Sequence, residues 1–132
     1  MDHAQLASRA RDFAIAVARL ARTLADEAVT RHAVSQLVRA SASVAANYRA
    51  TQLARSRKEF IAKIGIVIEE ADECGFWFDY LDAMKPSCRA ELAPVRNEGH
   101  QLLKIFVASR KTCCQNLVRQ PPKTSSRTIG PR

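Results

Sequence analysis

Apolar residues recur along the chain at alternating spacings of four and three, the period of an amphipathic helix. A first stripe carries Leu6, Ala10, Phe13, Val17, Leu20 and Leu24 and runs out at the turn ADEAVT. A second carries Val34, Leu37, Val38, Ser41, Val44, Ala45 and Tyr48, with Thr30 as its predicted N-cap and fraying predicted near Ala54. Ser56 followed three residues later by Glu59 has capping-box form. It opens a third stripe of Phe60, Ile64, Val67, Ala71, Cys74, Phe78 and Leu81. Lys85-Pro86-Ser87 then breaks the chain, and Leu92, Val95, Gly99, Leu102, Phe106, Ser109 and Cys113 form a fourth stripe. Pro94 marks either a kink or a first turn there. No segment alternates in the manner of a strand.

Stripes joined by short loops predict an all-α fold, an antiparallel up-down-up-down four-helix bundle over residues 1–115. Helices of about 22 to 28 residues would be roughly 33–42 Å long at about 1.5 Å per residue. Residues 116–132 contain Pro and Ser, are basic and lack periodicity, which predicts a disordered basic tail. With 47% hydrophobic residues the chain can fill a core. No run of about 18 apolar residues exists and the N-terminus is charged early, so neither a membrane span nor a signal peptide is expected. The default is a cytoplasmic protein with its four cysteines (Cys74, Cys88, Cys113, Cys114) reduced.

Charge changes the picture because it is segregated. The net charge is +8, yet residues 1–98 hold 14 basic against 13 acidic residues, and residues 99–132 hold seven basic residues and no acid. Seven basic residues and one acid lie between Arg31 and Lys63, and six acids and no base between Glu69 and Asp82. Opposite lobes of this kind can steer a polyanion or join subunits head to tail.

The pattern argues against chemistry. A di-iron bundle site needs Glu-x-x-His on two helices; none of His3, His32 and His100 follows a Glu at that spacing, and Glu69, Glu70, Asp72 and Glu73 share one helix. A solvated acidic face is the plainer reading, and no metal or cofactor is expected. Neither a nucleophile elbow nor a Gly-rich phosphate loop is present. The expectation is a protein without enzymatic activity.

Two surfaces remain. In CGFWFDYL, Phe76 and Tyr80 stand one turn apart on the outer side of the third helix, with Ile66 on the same side, and suggest a subunit contact. Scattered surface aromatics are the plain alternative. Around the corner between the second and third helices gather Arg49, Arg55, Arg57, Lys58 and Lys63, with Arg39 about three turns earlier and Asn47 able to donate to phosphate or base. Basic helix ends are often only wet surface, but cations that reach phosphates release counterions and bind nucleic acid. The tail, with Lys111, Arg119, Lys123 and Arg127 at and beyond the end of the fourth helix, adds a flexible basic arm.

Gln36, Leu37, Arg39, Ala40, Ser43, Val44 and Asn47, followed by Arg55, Ser56, Glu59 and Phe60, resemble the signature of bundle proteins encoded in intervening sequences of bacterial 23S ribosomal RNA genes. That signature reads Gln-Leu-x-Arg-Ala-x-x-Ser-Ile-x-x-Asn, then Arg-x-Ser-x-x-Glu-Phe, with Arg55 here directly before Ser56. The resemblance covers about residues 10–112. It implies a ring-forming homo-oligomer, typically a pentamer, with RNA or another nucleic acid as partner. A related branch, the accessory protein of diversity-generating retroelements, implies a reverse transcriptase as an alternative partner. The chain departs from the pattern at Tyr48-Arg49-Ala50-Thr51, which is more basic, and at Glu69-Glu70, which is more acidic. Together these features predict electrostatic capture of RNA backbone, with Asn47 and Tyr48 adding base contacts where they are accessible, and Ile66, Phe76 and Tyr80 as the contact between copies.

Overall fold

The computed structural model describes residues 1–24 and 27–119. Their regular structure is helical throughout, in four α-helices: α1 (His3–Leu24), α2 (Ala28–Ala50), α3 (Arg57–Met84) and α4 (Arg89–Arg119). Short 3-10 turns at Thr51–Leu53 and Pro86–Cys88 lead out of α2 and into α4. Each helix packs against its neighbours in sequence, and α4 returns to α1, which makes a bundle. The α1–α4 seam is the most sparsely packed of these. His3, at the start of α1, meets Thr51, just past the end of α2. Arg57, at the start of α3, meets the backbone of Asn116 in the last turn of α4.

Most of the predicted stripe positions form the core, while Ser109 and Cys113 at the end of the fourth stripe are half-buried outside it. Leu6, Phe13 and Val17 of α1 meet Leu37 and Val44 of α2, Ile64, Val67, Phe78 and Leu81 of α3, and Leu92, Leu102 and Phe106 of α4, all buried. Burial of a side chain of this size contributes about 1.5–3 kcal/mol, which offsets the cost of ordering the helices. Gly99 has a packing reason: a Cβ there would lie 3.1 Å from Phe13 Cζ and 3.2 Å from Cε1. The missing side chain lets the Phe13 ring reach the backbone of α4.

Helix ends differ from the sequence expectations in places. Helix α2 begins at Ala28 with Glu27 in the extended cap position, so Thr30 is not its cap but a buried residue of the first turn. Ser56 does cap α3, its hydroxyl accepting the Glu59 backbone N–H at 3.1 Å. Only half of the capping box closes, because the Glu59 carboxylate accepts from the backbone N–H of Arg55 at 3.3 Å, one residue before the cap. Pro94 sits inside α4 in its second turn; it removes one backbone bond there without ending the helix. Helix α4 also continues through residues 116–119, the first four of the expected tail. Lys123 and Arg127 lie outside the described residues.

Candidate nucleic-acid interface

The corner between α2 and α3 is built by three local events: α2 tightens into the 3-10 turn, Ala54 turns extended, and Ser56 restarts the helix. This sequence puts Arg55, Arg57 and Lys58 on the outside, all exposed. Arg55 pairs with Glu59 at 3.3 Å, with its own side chain 88% exposed; such a pair is weak in water and yields readily to a phosphate. The Arg57 guanidinium donates to the Asn116 carbonyl at 3.5 Å. Carbonyls in a last helical turn carry the negative end of the helix dipole, which attracts a cation. That contact joins the corner to the acid-free stretch of α4. Lys111 is exposed and precedes Asn116 by five residues, about 7.5 Å of helix. Lys63 is half-buried, about two turns into α3.

Other expected contacts are placed elsewhere. Arg39 bonds to Glu73 and, at 3.2 Å, to Glu70, across the α2–α3 seam. Both partners raise its pKa, chiefly through the hydrogen bond that it donates to Glu73. Arg49 lines a groove between α1 and α2. The Asn47 amide donates to the Ser43 carbonyl and the Ser43 hydroxyl, both at 2.9 Å. Both contacts tie the amide nitrogen back to α2 at Ser43 rather than out towards a ligand. Tyr48 is only 4% exposed and is not available for base stacking. Its ring lies between His3 (centroids 4.5 Å apart) and Phe106 (5.2 Å), and burial pushes its phenol pKa up.

This stack was not legible in the sequence, because His3 lies outside every apolar stripe. Thr51 explains it. Its hydroxyl donates to the Tyr48 carbonyl at 2.6 Å and so can only accept from His3 Nε2 at 3.0 Å. Nε2 is therefore the donor in this contact, and Nδ1 is buried with no partner among the described residues. The ring forms part of a cleft of about 570 Å³ between the start of α1 and the end of α4, lined also by Leu6, Phe60, Ile105, Cys113 and Asn116.

On α3 the expected outer trio divides. Phe76 is 56% exposed and Ile66 47%, but Tyr80 is half-buried against the core. Ile66 sits one turn before Glu70, on the edge that faces α2 through Arg39, rather than beside Phe76. Trp77 donates its indole N–H to Glu73 at 3.1 Å. That hydrogen bond, with the one from Arg39, holds the Glu73 pKa below the usual carboxylate value. Among the described residues no group of three or more His, Cys, Asp and Glu side chains converges as a metal site would require. No helix among them is long and apolar enough to cross a membrane.

Fold and surface define a small helical bundle with over half of its acidic residues on one helix and a cluster of exposed basic residues at the corner between α2 and α3. The chain belongs to the 23S rRNA-intervening sequence protein family, whose profile matches residues 3–108. Among solved structures it is similar to a protein of unknown function from the S23 ribosomal protein family of Bacteroides thetaiotaomicron VPI-5482. The two are 25% identical, with a TM-score of 0.76 over 84% of this chain and 99% of that one. No curated protein matches the chain.

Proposed function

We propose that the chain is a non-enzymatic RNA-binding protein, an antiparallel up-down-up-down four-helix bundle that works as a ring-forming cytoplasmic homo-oligomer, pentameric by family resemblance. The observation that carries the reading is the exposed run of Arg55, Arg57 and Lys58 at the start of α3, from which Arg57 reaches the last turn of α4. The stretch from residue 99 onward, which holds Lys111, Arg119, Lys123 and Arg127, contains no acid to oppose a phosphate backbone. Capture is electrostatic: each phosphate that replaces counterions on this end adds affinity and salt dependence. Several such ends on one ring bind a long RNA with avidity. Arg39, committed to Glu70 and Glu73, and Asn47, committed to Ser43, play no direct part in this reading.

Glu69 and Asp72 favour a second reading, because both are exposed on α3 near the exposed Phe76. An acidic face with an aromatic suits a basic protein such as the reverse transcriptase of a diversity-generating retroelement, with RNA binding secondary. Crosslinking in cells followed by sequencing of the bound RNA tests the first reading. RNA should be recovered with the wild type and lost with the triple variant Arg55→Glu, Arg57→Glu, Lys58→Glu. Recovery at background from the wild type rejects RNA as the ligand, and protein capture that persists in the triple variant favours the second reading.

A further inference from the structure

Two surfaces on different sides of the bundle complement each other, and we infer that the aromatic edge of α3 in one copy seats in the α1–α2 groove of the next. The inference rests on the self-assembly part of the proposed function and supplies the contact that it needs.

The first surface is an apolar patch. Phe76 and Trp77 meet edge to face (centroids 4.8 Å), Trp77 and Tyr80 lie 5.3 Å apart, and His32 of α2 meets Trp77 at 5.6 Å. Val29, one turn before His32, and Met84, one turn after Tyr80, are 45% and 52% exposed and extend the patch along the α2–α3 seam. Exposed apolar area gathered in one place marks a contact surface more often than scattered residues do. The surroundings are acidic. Glu69, Glu70, Asp72, Glu73 and Asp79 lie along this stretch of α3; Arg39 bonds to Glu70 and Glu73, and Arg96 to Asp79.

The second surface is a groove of about 680 Å³ between α1 and α2. Its floor is short side chains, including Ala7, Ala14, Ala42 and Ala46, and among the described residues the charged ones that line it are Arg11 and Arg49. Arg11 has an exposed ion pair with Asp12 at 3.3 Å, which is weak and exchangeable. An alanine floor allows close approach of a helix, and large aromatic side chains fill the space that it leaves. Two cations on one side and an excess of carboxylates on the other set the partner's orientation.

The occupant is a second copy because every element of complementarity is already encoded on one chain. Helix α2 separates the two surfaces within a molecule, so they cannot meet in cis. A contact between unlike surfaces is heterologous: after one contact one copy still has its patch free and the other its groove, and assembly proceeds until a ring closes. Arg49 then belongs to the contact between copies rather than to the RNA interface.

The test uses one blocking substitution per surface, both at exposed positions, in the full chain. Ala42→Trp fills the groove and Phe76→Arg places a cation opposite Arg11 and Arg49. Light scattering coupled to size exclusion should find the wild type oligomeric and each variant monomeric, with helical circular dichroism unchanged. The equimolar mixture should form a heterodimer, because each mixed pair retains one intact contact. If Ala42→Trp loses helix, Arg49→Glu takes its place. A mixture that stays monomeric while the wild type assembles overturns the pairing of these surfaces and leaves self-assembly standing. Either variant assembling like the wild type does the same. A monomeric wild type overturns both and leaves the patch to another partner.

Discussion

Gly75 and Gly99 carry the same residue in helices and opposite constraints. A Cβ at Gly75 meets nothing within 4 Å, so Gly75→Ala should stabilise by about 0.5–1 kcal/mol through lower backbone entropy in the unfolded chain. At Gly99 the added carbon presses on the Phe13 ring, which is 3% exposed and packed against Phe78. Overpacking of about 1–3 kcal/mol outweighs the gain of about 1 kcal/mol in helix propensity. Urea midpoints should therefore rise for Gly75→Ala and fall for Gly99→Ala; a more stable Gly99→Ala would show that the ring has room to move. The cysteines divide in the same local way. Burial first, and the nearby Glu70 and Glu73 next, push the Cys74 thiol up to about 12, and burial raises Cys88 as well. A thiol reagent at neutral pH should label the half-buried Cys113 and Cys114 in the native protein and reach Cys74 and Cys88 only on unfolding. Labelling of Cys74 in the folded state would contradict its placement. Individual roles like these were the least legible from sequence. Tyr48 sat in an apolar stripe and also beside Asn47 in a basic corner, and only the His3–Thr51 contact shows which neighbourhood claims it.

Helices were legible because their periodicity is a one-dimensional signal, whereas their ends depend on single hydrogen bonds. Ser56 announced itself correctly, and Ser56→Ala should cost about 1 kcal/mol, read as a lower thermal midpoint. Thr30 looked like the same kind of signal, but α2 starts before it at Ala28, which puts the hydroxyl residue inside the first turn. The α2–α3 seam was misread for a related reason. Glu70 and Glu73 were assigned to a solvated acidic face and Arg39 to a basic one, and pairing across the seam requires knowing which helices are neighbours. These pairs set the acid response. The Trp77 and Arg39 hydrogen bonds lower the Glu73 pKa, and Arg89 first, with Arg96, lowers that of Asp82. A carboxylate whose folded pKa is depressed stabilises the fold above its unfolded value, about 4, and loses that contribution as pH falls through the folded value. The thermal midpoint should thus drop as pH is lowered below about 4, and Glu73→Gln should flatten part of the drop. An unchanged acid profile in Glu73→Gln would remove Glu73 from the account.

At the scale of the molecule, bulk charge predicted two lobes, and the fold arranges them. Helix α3 carries seven of the 13 acids, while the start of α3 and the end of α4 bring Arg55, Arg57, Lys58 and Lys111 to one end. The sequence grouped Arg39 and Arg49 with them because they are near in number. Arg39 is bonded across the α2–α3 seam to Glu70 and Glu73, and Arg49 lines the α1–α2 groove together with Gln52 of the 3-10 turn. The family assignment agrees with the fold read from the stripes, since its profile spans residues 3–108 and so includes most of all four helices. What the molecule does with its basic end is tested most directly by fluorescence anisotropy of a labelled single-stranded RNA titrated with protein across a series of salt concentrations. The account predicts that log affinity falls linearly with log salt, with a slope near −0.7 for each phosphate engaged. It predicts that Arg55→Glu, Arg57→Glu, Lys58→Glu makes that slope shallower, while Arg39→Gln leaves it unchanged. An affinity that does not respond to salt, or a triple variant that binds like the wild type, would contradict it.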